Sequence, residues 1–294
     1  MLMGDTVFSE YSKISAPDDI QEKVYLDMAG AWLDVSQDHW LLCIEPIVFG
    51  IWTIPGSFER GHLFHMYIGD IEADLTLELF DQIEEDGGVL LLMRLKKSNI
   101  YQLNLIKTYL IYYRYYRRGG LPFSKFKSFV GAYSYPRRIR LVTFRQKDYF
   151  NIFPMDLLGD IKNHGRYVFG LRHTNTSLPR IMEEEKIAVC EVSSTHQDLI
   201  YQLGKHHSGI PPALEELPFK VGLSRHFSFY IPAVVESYKE VRILKTKDLG
   251  SHMLLWGETV DGEVLTKPVD HLYLVHFLHF LYQKTRAPYQ MGLM

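Results

Sequence analysis

Cysteine is nearly absent. Cys43 and Cys190 are the only two in 294 residues, too few for a disulfide framework, and a reducing cytoplasm is the simplest compartment for such a chain. Long hydrophobic runs are absent too. Val89–Met93 is among the longest, far short of the ~20 residues a membrane helix needs. The opening residues carry Asp5 and Glu10 where a signal peptide needs a basic start and an apolar stretch. The chain holds no P-loop and no GxGxxG, so neither standard phosphate cradle is indicated. HExxH and GxSxG are missing as well, which removes the common zinc-protease and hydrolase signatures. Thirteen histidines are present, but their closest groupings (His62 with His65, His206-His207, His276 with His279) do not form a Cys/His set with zinc spacing, so no metal is expected. Net positive charge is lacking: 32 Lys and Arg stand against 35 Asp and Glu, net −3, which does not suit a wholesale nucleic-acid binder.

What is present is ordinary globular composition, 47% hydrophobic and 23% charged, with a high aromatic content of 14%. Length allows one large domain or two ordinary ones. Charge is segregated. An acidic stretch runs through Glu72, Asp74, Glu78, Asp81, Glu84, Glu85 and Asp86, and from Gly87 to Lys147 there is no acidic residue. Arginines, lysines and tyrosines interleave in that second span. It reads either as a basic stacking surface for nucleic acid or as a solvated face backed by packed tyrosines, and the near-neutral total favours the second.

Trp40–Ile44, Ile47–Ile54 and Leu63–Ile68 read as strands, broken by Pro46 and Pro55. Leu75, Leu79, Phe80 and Ile83 have helical spacing, which predicts a helix over Asp74–Glu85 ended by Gly87-Gly88. A strand Val89–Leu95 and a second helix follow, Ile100–Tyr113, capped by Ser98. Together these make an α/β region up to Gly120. Beyond it come short strands: Arg138–Phe144, Tyr167–Leu171, Ala188–Val192, Phe227–Ile231, Val234–Leu244 and His252–Val260. Helices are expected at Leu178–Glu185, His196–Leu203 and in the tail Val269–Gln283, with a loop at Gly204–Phe219. No internal repeat is evident.

Three segments carry chemistry. In Gly170–Val192 a strand ends at Leu171, a polar loop presents Arg172, Thr174, Thr176 and Ser177, and a helix begins. A guanidinium, hydroxyls and free N–H groups at a helix start suit an anion, although a plain N-cap also accounts for Ser177. In Asn151–Ile161, residues Asn151, Pro154 and Met155 suggest a turn with a soft apolar rim on which a flat ligand could lie, or a strand connection with a buried Met. In Ser251–Val260, His252 opens an apolar strand and Gly257 interrupts it.

In order and spacing these segments resemble the flavin reductase-like family of FMN-binding split barrels. The resemblance rests on Leu141-Val142-Thr143 followed by Asn151-Ile152-Phe153-Pro154, on Arg172 with Ser177 five positions on, and on His252 ahead of an apolar strand and Gly257-Glu258. It covers about Tyr133–Gly262. It implies an α+β chain: a Greek-key split β-barrel over 121–294 with a C-terminal helical tail, and an appended N-terminal α/β region over 1–120. It implies that Arg172, Thr174, Thr176 and Ser177 hold the flavin phosphate and that Asn151, Pro154, Met155 and Asp156 line the ring. His252 would lie on the nicotinamide or substrate side as the catalytic residue. The implied cofactor is FMN rather than FAD, with NAD(P)H as co-substrate, in a cytoplasmic homodimer that meets neither nucleic acid nor membrane. Cys190 and Ser251 depart from the family pattern and leave open a flavin-binding protein without NAD(P)H turnover.

Overall fold

A computed structural model describes residues 9–14, 20–28, 30–56, 59–67, 69–101, 103–204, 210–268, 270–276 and 290–292. The chain divides into two compact units. Unit 1 comprises 1–12, 18–137 and 274–294, and unit 2 comprises 13–17 and 138–273. The Gly119-Gly120 break lies inside unit 1.

After β1 (Ser9–Ile14), unit 1 forms β2 (Glu22–Met28), β3 (Ala31–Asp34), β4 (His39–Ile44), β5 (Ile47–Thr53), β6 (Arg60–Tyr67), β7 (Asp70–Glu85) and β8 (Gly88–Ile100). Two helices follow, α1 (Leu105–Ile111) and α2 (Phe123–Ala132), and then β9 (Arg137–Arg138). Strands β2 to β8 make one antiparallel sheet in the order β3-β2-β6-β7-β8-β5-β4. Consecutive strands β3 and β4 therefore occupy opposite edges. Seven strands laid flat would separate those edges by ~29 Å, whereas the link from Asp34 to His39 reaches ~19 Å at most. The sheet must curl. Val24, Leu26, Leu42, Ile51, Leu63, Leu75 and Leu91 are all fully buried.

The expected α/β region is thus an antiparallel sheet flanked by helices. Asp74–Glu85 is not a helix but the middle of β7. Ala73, Leu75 and Leu77 alternate inward, and the bulge at Leu79/Asp81 then leaves Phe80 as an extra residue beside Leu79, with Ile83 buried beyond it. That slip imitates a 3.6-residue period. Gly87 turns the hairpin with φ 87°, a conformation that favours glycine. Ser98 caps nothing. It lies in β8, and its hydroxyl donates to the Lys127 carbonyl of α2 at 3.0 Å. A Cβ on Gly131 would sit 2.3 Å from that hydroxyl oxygen, so only glycine allows α2 this close to β8. The N-cap of α1 is Asn104, whose side chain accepts from the Lys107 N–H at 2.9 Å, and a π turn over Tyr112–Tyr116 extends the helix.

Unit 1 also buries two histidines. His39 Nδ1 donates to the Val35 carbonyl at 2.9 Å, and His65 bonds the Ser134 hydroxyl. Burial lowers the His39 pKa to about 4, against smaller raising effects of that bond and of Asp34. Burial, then the neighbouring His39 and Arg137, holds His65 well below its usual range.

Unit 2 forms β10 (Arg140–Gln146), β11 (Tyr149–Met155), β12 (Leu158–Ile161), β13 (Arg166–Arg172), α3 (Leu178–Glu184), β14 (Lys186–Val192) and α4 (Gln197–Gly204). A two-strand ribbon, β15 (Val221–Leu223) and β16 (Tyr230–Pro232), precedes the long hairpin β17 (Val235–Asp248) and β18 (His252–Val264). The main sheet runs β11-β10-β14-β17-β18-β13-β12, antiparallel throughout. Here β11 and β12 occupy opposite edges although only Asp156-Leu157 joins them, a reach of ~11 Å. This sheet curls as well. Trp256, Tyr167, Phe144, Phe153 and Phe169 are its largest fully buried side chains, with Trp256 on the opposite face of the ladder from Tyr167 and Phe169. Two strands end the described chain, β19 (His271–His276) and β20 (Gln290–Gly292). The predicted tail helix is therefore strand over His271–His276, and 277–283 lies outside the described residues, as do 205–209 of the predicted loop.

The two units share one topology. Numbering the seven sheet strands of each in chain order, both sheets read second-first-fifth-sixth-seventh-fourth-third. The fourth strands also share sequence: Val48-Phe49-Gly50-Ile51 in β5 and Val168-Phe169-Gly170-Leu171 in β13. Gly50 pairs with Leu92 of the seventh strand, and Gly170 with Leu254 of its seventh strand. The chain contains an internal repeat that the sequence reading missed.

Candidate functional site

The polar loop of unit 2 starts where β13 ends. Arg172 is directly opposite His252 in the β13–β18 ladder. Its side chain is exposed and makes no hydrogen bond or ion pair among the described residues. The loop then closes on Asn175. The Asn175 N–H donates to the Arg172 carbonyl at 2.9 Å, and its side-chain oxygen accepts from the Ser177 N–H at 2.8 Å. This Asx turn fixes which way the amide points. The other end of that amide, Nδ2, is a buried donor without a partner among the described residues, in a side chain only 1% exposed. Such an orphan costs about 1–3 kcal/mol unless an acceptor arrives.

Thr174 and Thr176 are exposed on the same loop. Ser177 is not: it is 0% exposed. Its hydroxyl accepts from Asn151 Nδ2 at 2.8 Å and bonds the Tyr149 hydroxyl at 2.9 Å. Ser177 stands at the N-cap position of α3 but makes no cap hydrogen bond. It ties strand β11 to the start of α3 instead. The Tyr149 hydroxyl also lies 3.3 Å from Thr176 Oγ1, and the Arg180 guanidinium covers the Tyr149 ring at 4.4 Å.

Asn151, Pro154 and Met155 lie in strand β11, not in a turn; the turn is Asp156-Leu157. Asn151 and Met155 are buried, opposite Phe144 and Arg140. Pro154 and Asp156 are half-buried. Because β11 is a sheet edge, Pro154 needs no N–H for a further neighbour. His252 is 1% exposed, with Nδ1 2.8 Å from the Ser251 hydroxyl.

Unit 2 thus brings Arg172, Thr174, Thr176, Ser177, Asn151 and Tyr149 into one loop–strand assembly, and the ladder sets His252 beside Arg172. Asn175 and Tyr149 escaped the sequence reading, although Thr-Asn-Thr between a strand and a helix is an Asx-turn signal. A separate buried charge cluster lies at Glu191. Arg140 Nε and Arg138 Nη2 reach its carboxylate at 2.7 and 2.8 Å. Burial opposes the Glu191 charge, but the two guanidiniums outweigh it and hold the carboxyl down at about 2. Burial, then Arg138, lowers the neighbouring His271 to about 4. Among the described residues no group of His, Cys, Asp and Glu could hold a metal ion, and no helix is long and apolar enough to cross a membrane.

No protein-family model and no curated protein matches the chain. Solved structures do. An FMN-binding protein from Thermus thermophilus, with bound 1-cyclohex-2-enone, is 18% identical over 44% of this chain and 71% of its own, with a TM-score of 0.39. The NADH:FAD oxidoreductase SgcE6 of Streptomyces globisporus is 13% identical over 49% and 83%, TM-score 0.43. The flavin reductase PheA2 is 12% identical over 55% and 93%, TM-score 0.41.

Proposed function

We propose that the chain is a flavin-binding protein of the flavin reductase-like kind and that unit 2 is a split β-barrel holding FMN. The observation that carries this reading is the open side of the Arg172–Ser177 loop. An unpaired guanidinium, two exposed threonine hydroxyls and a buried amide donor without a partner form a donor set that suits a phosphate. Arg172, Thr174, Thr176 and Asn175 would hold that phosphate, and Ser177 would brace the loop from behind. The strand end Pro154–Asp156 would carry the ring. FMN, once bound, supplies the hydride chemistry, and the chain's own residues bind and orient it.

Titration with FMN and with riboflavin tests the site. The protein binds FMN and turns yellow, and Arg172→Ala weakens FMN about tenfold or more while leaving riboflavin affinity unchanged. A colourless protein that ignores added FMN refutes the reading; equal FMN affinity in the variant moves the phosphate elsewhere. NAD(P)H-dependent reduction of a further acceptor belongs to the same proposal. The burial of His252 favours the second reading, flavin binding without nicotinamide turnover, and anaerobic bleaching by NADH or NADPH separates the two. Homodimer formation is tested by light scattering. Cys43 and Cys190 form no disulfide, which suits a cytoplasmic location.

A further inference from the structure

Helix α1 and the π turn after it carry an exposed apolar face. Leu105, Ile106, Tyr109, Leu110 and Tyr113 recur at i, i+1, i+4, i+5 and i+8, which places them within ~140° around the axis at ~100° per residue. Ile106, Leu105 and Leu110 are 73%, 67% and 65% exposed, and Tyr109, Tyr113 and nearby Tyr101 are exposed as well. The helix is well seated from behind. Tyr109 stacks on Phe123 at 4.5 Å, the Tyr112 hydroxyl donates to the Leu121 carbonyl at 2.9 Å, and Leu103, Tyr116, Phe126 and Val130 form a buried cluster beneath. The element is an addition to the repeat, since no helix follows the seventh strand of unit 2 among the described residues.

Cations flank this face. Arg114 and Arg117 are exposed, with Arg114 over the Tyr115 ring at 5.3 Å and Arg117 over Tyr113 at 4.7 Å. The span Gly87–Lys147 that contains them has no carboxylate to answer them. We propose that this face seats on an anionic lipid surface, with the leucines, isoleucine and tyrosines entering the headgroup–acyl boundary and the cations meeting headgroup phosphates and carboxylates. A second copy docked on the same face would set these cations against their equivalents with no acidic partner from this span. Single-stranded nucleic acid would use the tyrosines and cations but gives Leu105, Ile106 and Leu110 nothing to stack on.

The test is co-sedimentation of the intact protein with phosphatidylcholine vesicles, with and without about one-third phosphatidylserine. The expected result is binding to the phosphatidylserine vesicles that weakens as salt rises. Ile106→Asp with Leu110→Asp lowers that binding at least tenfold with an unchanged circular dichroism spectrum. Arg114→Gln and Arg117→Gln lower it about fivefold each. Absence of vesicle binding overturns the proposal, and so does binding that the aspartate pair leaves intact. A wild-type dimer that the aspartate pair converts to monomer, without vesicle binding, assigns the face to a second copy. Salt-sensitive oligonucleotide binding without vesicle binding assigns it to nucleic acid.

Discussion

Acidification should destabilise unit 1 through its buried histidines. The perturbation is a shift from about pH 7.5 to about pH 5. His39 has an ordinary pKa of 6.5 when the chain is unfolded and about 4 in the buried native site. Above 6.5 both states are neutral and His39 costs nothing. As the pH falls the unfolded chain takes up the proton first, and stability drops by about 1.4 kcal/mol per pH unit. The loss reaches about 2 kcal/mol at pH 5 and levels off near 3 kcal/mol below pH 4. His65 is shifted in the same direction and adds to the fall. Urea melts read by tryptophan fluorescence suit the measurement, because Trp32, Trp40 and Trp52 lie in unit 1 and only Trp256 in unit 2. His39→Gln keeps a donor for the Val35 carbonyl but cannot titrate, and it should recover about 2 kcal/mol of the acid loss at pH 5. Equal wild-type stability at the two pH values would refute the reasoning, as would a variant that keeps the full pH slope.

Three further outcomes are expected. At the positions of Arg172 and His252, the repeat equivalence places Trp52 and Leu90 in unit 1, paired in the same ladder step, so calorimetric titration should give one FMN per chain; two equal sites would contradict the equivalence. Ser177→Ala removes the shared partner of Asn151 and Tyr149 and should cost about 1–3 kcal/mol in a thermal melt, with no change meaning that the brace is dispensable. Cys43 and Cys190 are fully buried and burial pushes the Cys190 thiol up, so a thiol reagent should label both in denaturant and neither in the native protein; fast native labelling would show that the core opens.

Unit 2 was largely legible from sequence. Several of its strands are short, continuously buried apolar runs, and Leu178–Glu184 has a short apolar stripe behind a polar loop. The Arg172 loop stands out because a guanidinium, hydroxyls and a helix start suit an anion, although strand–Ser/Thr–helix junctions are common and a plain N-cap reads the same way. Unit 1 was misread where bulges break the two-residue period, as in β7, and where a helix packs through glycine, as at Gly131. Ser177 could not be told from a ligand-facing hydroxyl, because its burial depends on Tyr149 and Asn151, which precede it by more than twenty residues. The repeat is faint in the sequence because little beyond Val-Phe-Gly and the leucine paired with its glycine persists at matched places in these strands. The two sheets otherwise keep the hydrogen-bond order while exchanging nearly every side chain.

That pattern has an evolutionary consequence. A sheet order is preserved by backbone pairing and a few close-packed positions, whereas a ligand pocket is preserved by individual side chains. When one chain holds the topology twice, the two constraints come apart. One copy can trade arginine and histidine for tryptophan and leucine and still fold, because Val-Phe-Gly and the ladder remain. On the same sheet order, unit 1 carries the helices after β8 and unit 2 carries the polar loop.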